Sequence, residues 1–136
     1  MIARIVDEPL DLAFHVEHVS GPRVGAVATF VGLVRDHDPS VEGRVTGLDY
    51  TAHPTAQDVL FRIAEAAQTD GVIGVAVSHR IGHLAVGEAA IVAAVSTAHR
   101  AEAFDVCRAL VETVKAELPV WKREVLEDGS HVWVGL

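Results

Sequence analysis

The stretch that decides the fold runs from Thr97-Ala98-His99-Arg100, through a long helical pattern, to Leu118-Pro119-Val120-Trp121-Lys122-Arg123-Glu124. Between these two segments apolar residues recur at spacings of three and four, as one face of a helix requires. The residues on this face are Phe104, Cys107, Val111, Val114 and Leu118. Because proline cannot continue a helix, the pattern predicts a long helix over residues 98–118 that is followed at once by a strand.

The rest of the chain mixes helical and strand patterns without a regular strand–helix–strand rhythm, which indicates an α+β domain. Helical spacing predicts helices over residues 9–19 and 55–68. Runs rich in β-branched residues predict strands over 2–6, 24–35, 44–50, 72–81, 82–88 and 89–96, and Asp128-Gly129 predicts a hairpin between 120–126 and 130–134. We expect the nearly uncharged run 24–35 to be buried on both faces, with a bulge or close backbone approach at Gly32.

Composition restricts the classes of function. A chain of 136 residues that is 50% hydrophobic fits one domain over residues 1–136. Its net charge of −8 argues against a general nucleic-acid surface or an anionic-membrane surface. No run reaches the roughly 18 apolar residues of a membrane span, and we expect a cytoplasmic protein. The single cysteine, Cys107, lies in the apolar helical stripe, which predicts a buried, inert thiol.

An anionic ligand would therefore have to meet a local cluster of cations, and the C-terminal third of the chain supplies one. Lysine and arginine together number 11, yet the only two lysines are Lys115 and Lys122, seven positions apart. Arginine cannot supply a neutral amine, so these two positions suit chemistry that needs one. Chance survival of two lysines in an arginine-rich chain is the alternative.

The start of the long helix is a candidate anion site. With Thr97 as N-cap, His99 and Arg100 lie in the first turn, where the helix dipole disfavours positive side chains. A phosphate bound by the free N–H groups would offset that penalty. The alternative is that Arg100 pairs with a carboxylate such as Glu102 and that His99 is merely exposed.

The two lysines differ in how strongly their positions suggest chemistry. Lys115 lies near the helix C-terminus, where a solvated lysine is favourable by itself. Lys122 alternates in a strand with Trp121 and Arg123, and neighbouring cations would favour its neutral amine as a nucleophile or proton carrier. Histidine pairs such as 15/18 and 79/83 lack further ligands at a recognisable spacing, so no metal site is predicted.

Taken together, the motifs resemble those of the large, catalytic subunit of molybdopterin synthase. They follow that family's order over nearly the whole chain. The matching motifs are Gly25-Ala26-Val27, Phe30-Val31-Gly32-Leu33-Val34-Arg35, Leu48-Asp49-Tyr50, Ala52-His53-Pro54, His79-Arg80-Ile81-Gly82, Val86-Gly87-Glu88, Ala98-His99-Arg100 and Pro119-Val120-Trp121-Lys122-Arg123-Glu124.

The resemblance implies an α/β hammerhead-type α+β fold with a mixed antiparallel sheet. It also implies a homodimer within a heterotetramer, with a small ubiquitin-like sulfur-carrier subunit at each end. The carrier's C-terminal Gly-Gly, as a thiocarboxylate, would give sulfur to cyclic pyranopterin monophosphate and form the molybdopterin dithiolene, a step of molybdenum cofactor biosynthesis. Such a sulfurtransferase needs no cofactor of its own, and no persulfide on its cysteine.

Carried over by position, the resemblance assigns Lys115 and Lys122 as the catalytic lysines. Lys115 would stabilise an oxyanion or accept the acyl group, and Lys122 would handle protons. The substrate-binding positions implied by the family are Leu33, Val34, Arg35, His99, Arg100, Arg123 and Glu124.

This chain also departs from the family's usual pattern. Thr51, His53 and Ala56 stand where glutamate, tyrosine and methionine are frequent, and Leu33 replaces a frequent lysine. The chain ends soon after Trp133, without the longer tail of many members, which puts any contribution of that tail to a neighbouring subunit in doubt. The alternative function is a non-catalytic phosphate-binding, pterin-binding or interaction subunit of the same fold.

Overall fold

In the computed structural model, which describes residues 1–134, the elements follow the predicted order, with boundaries that differ by at most three residues. The strands are β1 (Ile2–Val6), β2 (Ala26–Leu33), β3 (Val45–Ala52), β4 (Val72–Arg80), β5 (Gly82–Ala85), β6 (Ala89–Thr97), β7 (Val120–Leu126) and β8 (His131–Val134). The helices are α1 (Leu12–Val19), α2 (Ala56–Ala67) and α3 (Arg100–Glu117).

The strands form two four-stranded sheets. Sheet A has the order β1-β4-β6-β2, and sheet B has the order β5-β3-β7-β8. Strand β1 pairs with β4 in parallel, and the other pairs are antiparallel. The predicted α+β class with a mixed, mainly antiparallel sheet is therefore confirmed.

Sheet A carries helices on both faces. Alternate residues of its central strands, such as Val75 and Val95, pack into the main core with α2 and α3. Their neighbours Ala76 and Ala94 face the other way and pack with Val19 of α1. Strand β6 is consequently the most buried element of the described chain, with its last eight residues all buried.

The run expected to be buried on both faces, β2, is instead an edge strand. Thr29 and Leu33 are exposed, and within residues 1–134 the strand pairs only with β6. The prediction was wrong because a lack of charge indicates an apolar strand but does not say which neighbours cover it. The irregularity expected at Gly32 is confirmed, because the β2–β6 register shifts between Gly32 and Leu33. A Cβ on Gly32 would lie 2.6 Å from Ile91 Cγ2.

Helix α3 begins later than predicted. Its N-cap is His99, whereas Thr97 ends β6 and donates its hydroxyl to the His99 carbonyl at 2.6 Å. Phe104, expected in the core, is 66% exposed, and the neighbouring Ala103 is buried in its place. The small alanine lets the first turn of α3 lie close against the sheet. Cys107 is buried as expected.

The predicted hairpin between β7 and β8 is confirmed. Gly129 adopts a positive φ of 85°, and Asp128 accepts a hydrogen bond from the Ser130 backbone at 2.8 Å. Within residues 1–134, no helix has both the length and the apolar character that crossing a membrane requires.

Candidate active site

A cavity of about 440 Å³ opens where the two sheets meet the C-terminal end of α3. Its apolar wall comes from β2, β3, β6 and α3. Charged and polar side chains reach it from β3, β4, α3, β7 and the loop between β2 and β3. These side chains are Arg35, His37, Asp38, Tyr50, His79, Lys115, Lys122 and Glu124.

Both lysines of the chain line this cavity, although they belong to different elements. Lys115 lies in the last turn of α3, with its Nζ 5.9 Å from the centre of the Phe30 ring. Lys122 reaches the cavity from β7. The break at Pro119 turns the chain from helix to strand, and this turn brings two lysines seven positions apart to one cavity.

The surroundings of Lys122 differ from the sequence prediction. Its ammonium lies 3.6 Å from Asp38 Oδ2 and 4.0 Å from Glu124 Oε1, so its close charged neighbours are carboxylates and not cations. The prediction failed because strand alternation sends Arg123 to the opposite face of sheet B. The loop after β2 meanwhile folds Asp38 over the cavity, and nothing in local spacing indicates that contact.

Glu124 is the most unusual group of the site. It is 1% exposed, and its Oε2 has no hydrogen-bond partner in residues 1–134. Burial first, and then the hydrogen bond and charge of Asp38, raise the pKa of Glu124 to about 7 against the opposing charges of Lys122 and Arg35. Near neutral pH this carboxyl therefore holds a proton for much of the time.

Asp38 carries the opposite perturbation. Hydrogen bonds from Glu124 and from the side chain and backbone of Ser40 hold the pKa of Asp38 well below its usual range. Ser40 donates both its hydroxyl, at 2.6 Å, and its backbone N–H, at 2.8 Å, to Asp38 Oδ1. Asp38 is thus the ionised member of a carboxylate–carboxylic acid pair.

His79 and Tyr50 form a second polar pair in the cavity. Their rings meet edge to face with centroids 5.1 Å apart. Burial, and secondarily the charge of Lys115, lowers the pKa of His79. Its Nδ1 lies 2.8 Å from the Arg80 carbonyl, which can only accept, so the neutral ring carries its proton on Nδ1 and leaves Nε2 as an acceptor.

Four charged or polar cavity residues were not among the predicted site residues: His37, which is exposed, and Asp38, Tyr50 and His79. Tyr50 and His79 belong to motifs quoted for the family resemblance, and Asp38 lies in the polar loop after a strand, where ligand contacts are common. These signals could have drawn attention to the last three positions. Their placement beside the lysines depends on the packing of the two sheets, which local patterns do not specify.

The predicted residues at the end of β2 reach the cavity. Leu33, Val34 and Arg35 line it, with Val34 buried and the other two side chains exposed at the rim. Glu124 lines it from β7. Their roles toward a substrate stay predictions.

Arg123 is not brought into the cavity. It binds Asp49 Oδ2 through Nη2 at 2.6 Å and Nε at 3.2 Å on the outer face of sheet B. His83 approaches the other oxygen of the same carboxylate at 2.7 Å, and the Arg123 guanidinium lies 5.8 Å from the Trp133 ring centre. This arrangement indicates a structural link across the sheet, and a substrate role for Arg123 stays a prediction without support from its position.

His99 and Arg100 also lie away from the cavity. They stand at the exposed N-terminus of α3, fifteen residues before Lys115, which corresponds to about 22 Å along a helix. Within residues 1–134, Arg100 makes no ion pair within 4.0 Å, so the pairing with Glu102 that stood as the alternative to an anion site is not observed. A single chain therefore presents two separate cationic regions.

The described residues contain no group of three or more histidine, cysteine, aspartate or glutamate side chains that could hold a metal ion. The cavity itself presents amines, a guanidinium, carboxyls and imidazoles. It can bind an anion through Arg35 and the lysines, stabilise an oxyanion, and exchange a proton through Glu124 or His79.

Comparisons with known proteins agree on one family. The family model described as MoaE protein matches residues 5–117. The chain is 41% identical to molybdopterin synthase catalytic subunit 1 of Mycobacterium tuberculosis, over 97% of this chain and 89% of that protein. The crystal structure of molybdopterin synthase from Staphylococcus aureus has a TM-score of 0.89 at 31% identity and covers 98% of this chain and 97% of that one.

A more distant structure shares the fold alone. It is a protein–protein complex of subunits 1 and 2 of molybdopterin-converting factor from Helicobacter pylori, with a TM-score of 0.78 at 20% identity. The match covers 96% of this chain and 88% of that chain.

Proposed function

Because this chain belongs to the MoaE family, we propose that it is the catalytic subunit of a molybdopterin synthase, a sulfurtransferase of molybdenum cofactor biosynthesis. The sulfur comes from the C-terminal thiocarboxylate of a small ubiquitin-like carrier subunit. Its acceptor is cyclic pyranopterin monophosphate, which becomes the dithiolene of molybdopterin. The relatives are named as catalytic subunits, which favours this function over a non-catalytic binding subunit.

The observation that carries the proposal is the convergence of Lys115 and Lys122 in one cavity rimmed by Arg35. A narrow, extended tail that ends in Gly-Gly can enter such a cavity, because glycine has no side chain that would clash with the cavity walls. Lys115 then lies where its ammonium can stabilise the oxyanion that develops on the terminal carbonyl, or where its amine can accept the acyl group. Arg35 and Lys122 attract the anionic pterin phosphate.

In the proposed homodimer, His99 and Arg100 can contact a substrate that they cannot reach from within the same chain. About 22 Å of helix separates them from Lys115, which is too far for both regions to contact one small substrate. A second copy can supply the N-terminus of its own α3 to the rim of this cavity. Exposed apolar side chains on the β2 and α3 surface, Leu33 and Phe104, are suited to such a contact between copies.

A small partner subunit is part of the same proposal, and the Helicobacter pylori neighbour was itself solved as a complex of two subunits. The partner's tail would enter the cavity beside Arg35, which lines it and is exposed. Two large and two small subunits would then form a heterotetramer with a cavity at each end.

Single substitutions of the lysines test the assignment. We expect Lys115→Ala to lower the rate of sulfur transfer by at least about 100-fold, as removal of a group that stabilises an oxyanion does. Lys115→Arg keeps the charge and removes the nucleophile, so it separates the two roles of this residue. Arg62→Ala, which removes an exposed cation from α2 outside the cavity, is the matched control and should transfer sulfur normally. Full transfer by Lys115→Ala with normal substrate affinity would contradict the assignment.

A further inference from the structure

Two carboxyl groups and one ammonium meet on the floor of the cavity, and the lysine chemistry above does not explain the carboxyl pair. We propose that Glu124 is the proton donor of the reaction and that Asp38 is a positioning residue which keeps the proton on Glu124 until the substrate takes it. This inference rests on the proposed function and adds to it the source of a proton.

The geometry of Asp38 supports a fixed rather than an incidental contact. Ser40 occupies Oδ1 with two hydrogen bonds, so the loop between β2 and β3 holds the carboxylate in one orientation. Oδ2 is left to face Lys122, at 3.6 Å, and the same ammonium lies 4.0 Å from Glu124 Oε1, so the two carboxyl groups meet at one lysine. The side chain of Asp38 is only 13% exposed although its loop lies at the surface.

The geometry of Glu124 indicates an available proton. Two carboxyl groups held close together away from water share one proton, because both cannot carry a charge there at low cost. Glu124 is almost fully buried, and its Oε2 has no partner in the described chain. A buried polar atom without a partner in a lined cavity is suited to a hydrogen bond with a bound ligand.

The surroundings of the carboxyl pair act in opposite directions on whether its members are ionised or protonated. The ammonium groups of Lys122 and Lys115 and the guanidinium of Arg35 favour carboxylates, whereas burial favours the acid. The neutral groups are the phenol of Tyr50, whose pKa is raised to about 12 by burial and by the charge of Glu124, and the imidazole of His79. The groups facing the pair from each neighbouring element are Arg35 and His37 from the loop, Tyr50 from β3, His79 from β4, Lys115 from α3 and Lys122 from β7.

The proposed step transfers a single proton. The O–H bond of Glu124 breaks, and its electron pair stays on the carboxylate. The proton forms a new O–H bond with the substrate oxygen that leaves the pterin carbon with a negative charge. The Lys122 ammonium, 4.0 Å from Oε1, then stabilises the new carboxylate. No oxidant or reductant is needed.

The first experiment observes the proton without the reaction. Protein labelled with ¹³C at the glutamate carboxyl carbons is titrated by NMR in the wild type and in Glu124→Gln, Asp38→Asn and Asp36→Asn. We expect one glutamate to titrate near neutral pH, to disappear in Glu124→Gln, and to move down by about one to two pH units in Asp38→Asn. Asp36→Asn is the matched control, because Asp36 lies in the same loop but is exposed and pairs with Arg44 at the surface, at 3.7 Å.

The second experiment asks whether the proton is used. In reconstituted sulfur transfer, the rate should fall as pH rises through the value at which Glu124 titrates. Asp38→Asn should move this fall to lower pH by the same one to two units, with kcat changed more than KM. Asp38→Glu should move it back toward the wild type, and Asp36→Asn should leave it in place.

The outcomes separate this inference from the proposed function. If all glutamates titrate in the ordinary carboxyl range, or if Asp38→Asn lowers the rate equally at every pH, Asp38 is only structural and the inference is wrong. If the NMR titration agrees with expectation while the wild type transfers no sulfur from any carrier, the shared proton exists but its use as a donor is overturned together with the proposed function. Thermal unfolding of each variant verifies that it is folded.

Discussion

Replacement of Glu124 by glutamine should change how the stability of the folded protein depends on pH. The pKa of Glu124 is raised from 4.5 to about 7 in the folded chain, mainly by burial. Between these values the folded state holds a proton that the unfolded state has lost, so the wild type loses stability as pH rises. Since one pKa unit corresponds to about 1.4 kcal/mol, the loss between pH 5 and pH 8 is about 2–3 kcal/mol. Glutamine does not ionise, so Glu124→Gln should not show this loss of unfolding free energy.

Urea unfolding of the wild type and Glu124→Gln at pH 5 and pH 8 measures this effect. The glutamine variant should gain about 2–3 kcal/mol relative to the wild type between the two conditions. His79, whose pKa is lowered, contributes a pH dependence of the opposite sign, but it is present in both proteins and cancels in the difference. Asp38, also present in both, titrates below this window.

The exposed residue Glu127, just after β7, provides the control Glu127→Gln, whose difference from the wild type should not vary with pH. If the difference between wild type and Glu124→Gln stays constant within about 0.5 kcal/mol, the carboxyl is ionised in the folded protein at pH 5 and the reasoning is refuted.

Other substitutions test the fold and the role of the thiol. Gly25→Ala should destabilise the protein by about 1–3 kcal/mol in urea unfolding, because the new Cβ would overlap a neighbouring backbone carbonyl oxygen, whereas Gly21→Ala, with open space around it, should not. His15→Ala should lower the unfolding free energy by about 2–4 kcal/mol, because a buried ring with two hydrogen bonds is lost. As a control, replacement of the exposed His18 by alanine should change it by less than about 0.5 kcal/mol. Equal effects of the two substitutions would contradict the packing of α1. Cys107→Ala should transfer sulfur at the wild-type rate once folded, because the thiol is buried and its pKa is raised by burial; a folded but inactive variant would mean that the cysteine carries sulfur.

The elements of the fold could be predicted from sequence to a large extent. The helix over 98–118, the hairpin at Gly129 and the irregularity at Gly32 each follow from local patterns, and the structure confirms them. Which strands lie at the edge could not be read in this way. Strand β2 and the core strand β6 both have apolar runs, and only the tertiary arrangement determines that β6 is covered on both faces.

The candidate site could be predicted in part. The two lysines were singled out by composition, and the structure brings them to one cavity. The position of Arg123 outside the cavity follows from strand alternation once the direction of Lys122 is known. The approach of Asp38 to Lys122 depends on a loop contact between residues 84 positions apart, and sequence patterns carry no information on it.

The central claim is that this chain catalyses transfer of sulfur from a carrier protein to a pterin. The most direct measurement mixes it with a small ubiquitin-like carrier bearing a C-terminal thiocarboxylate and with cyclic pyranopterin monophosphate, and follows dithiolene product and carrier mass together. We expect product to appear as the carrier mass falls by the exchange of sulfur for oxygen. Absence of product with a carrier that is active with another large subunit would contradict it.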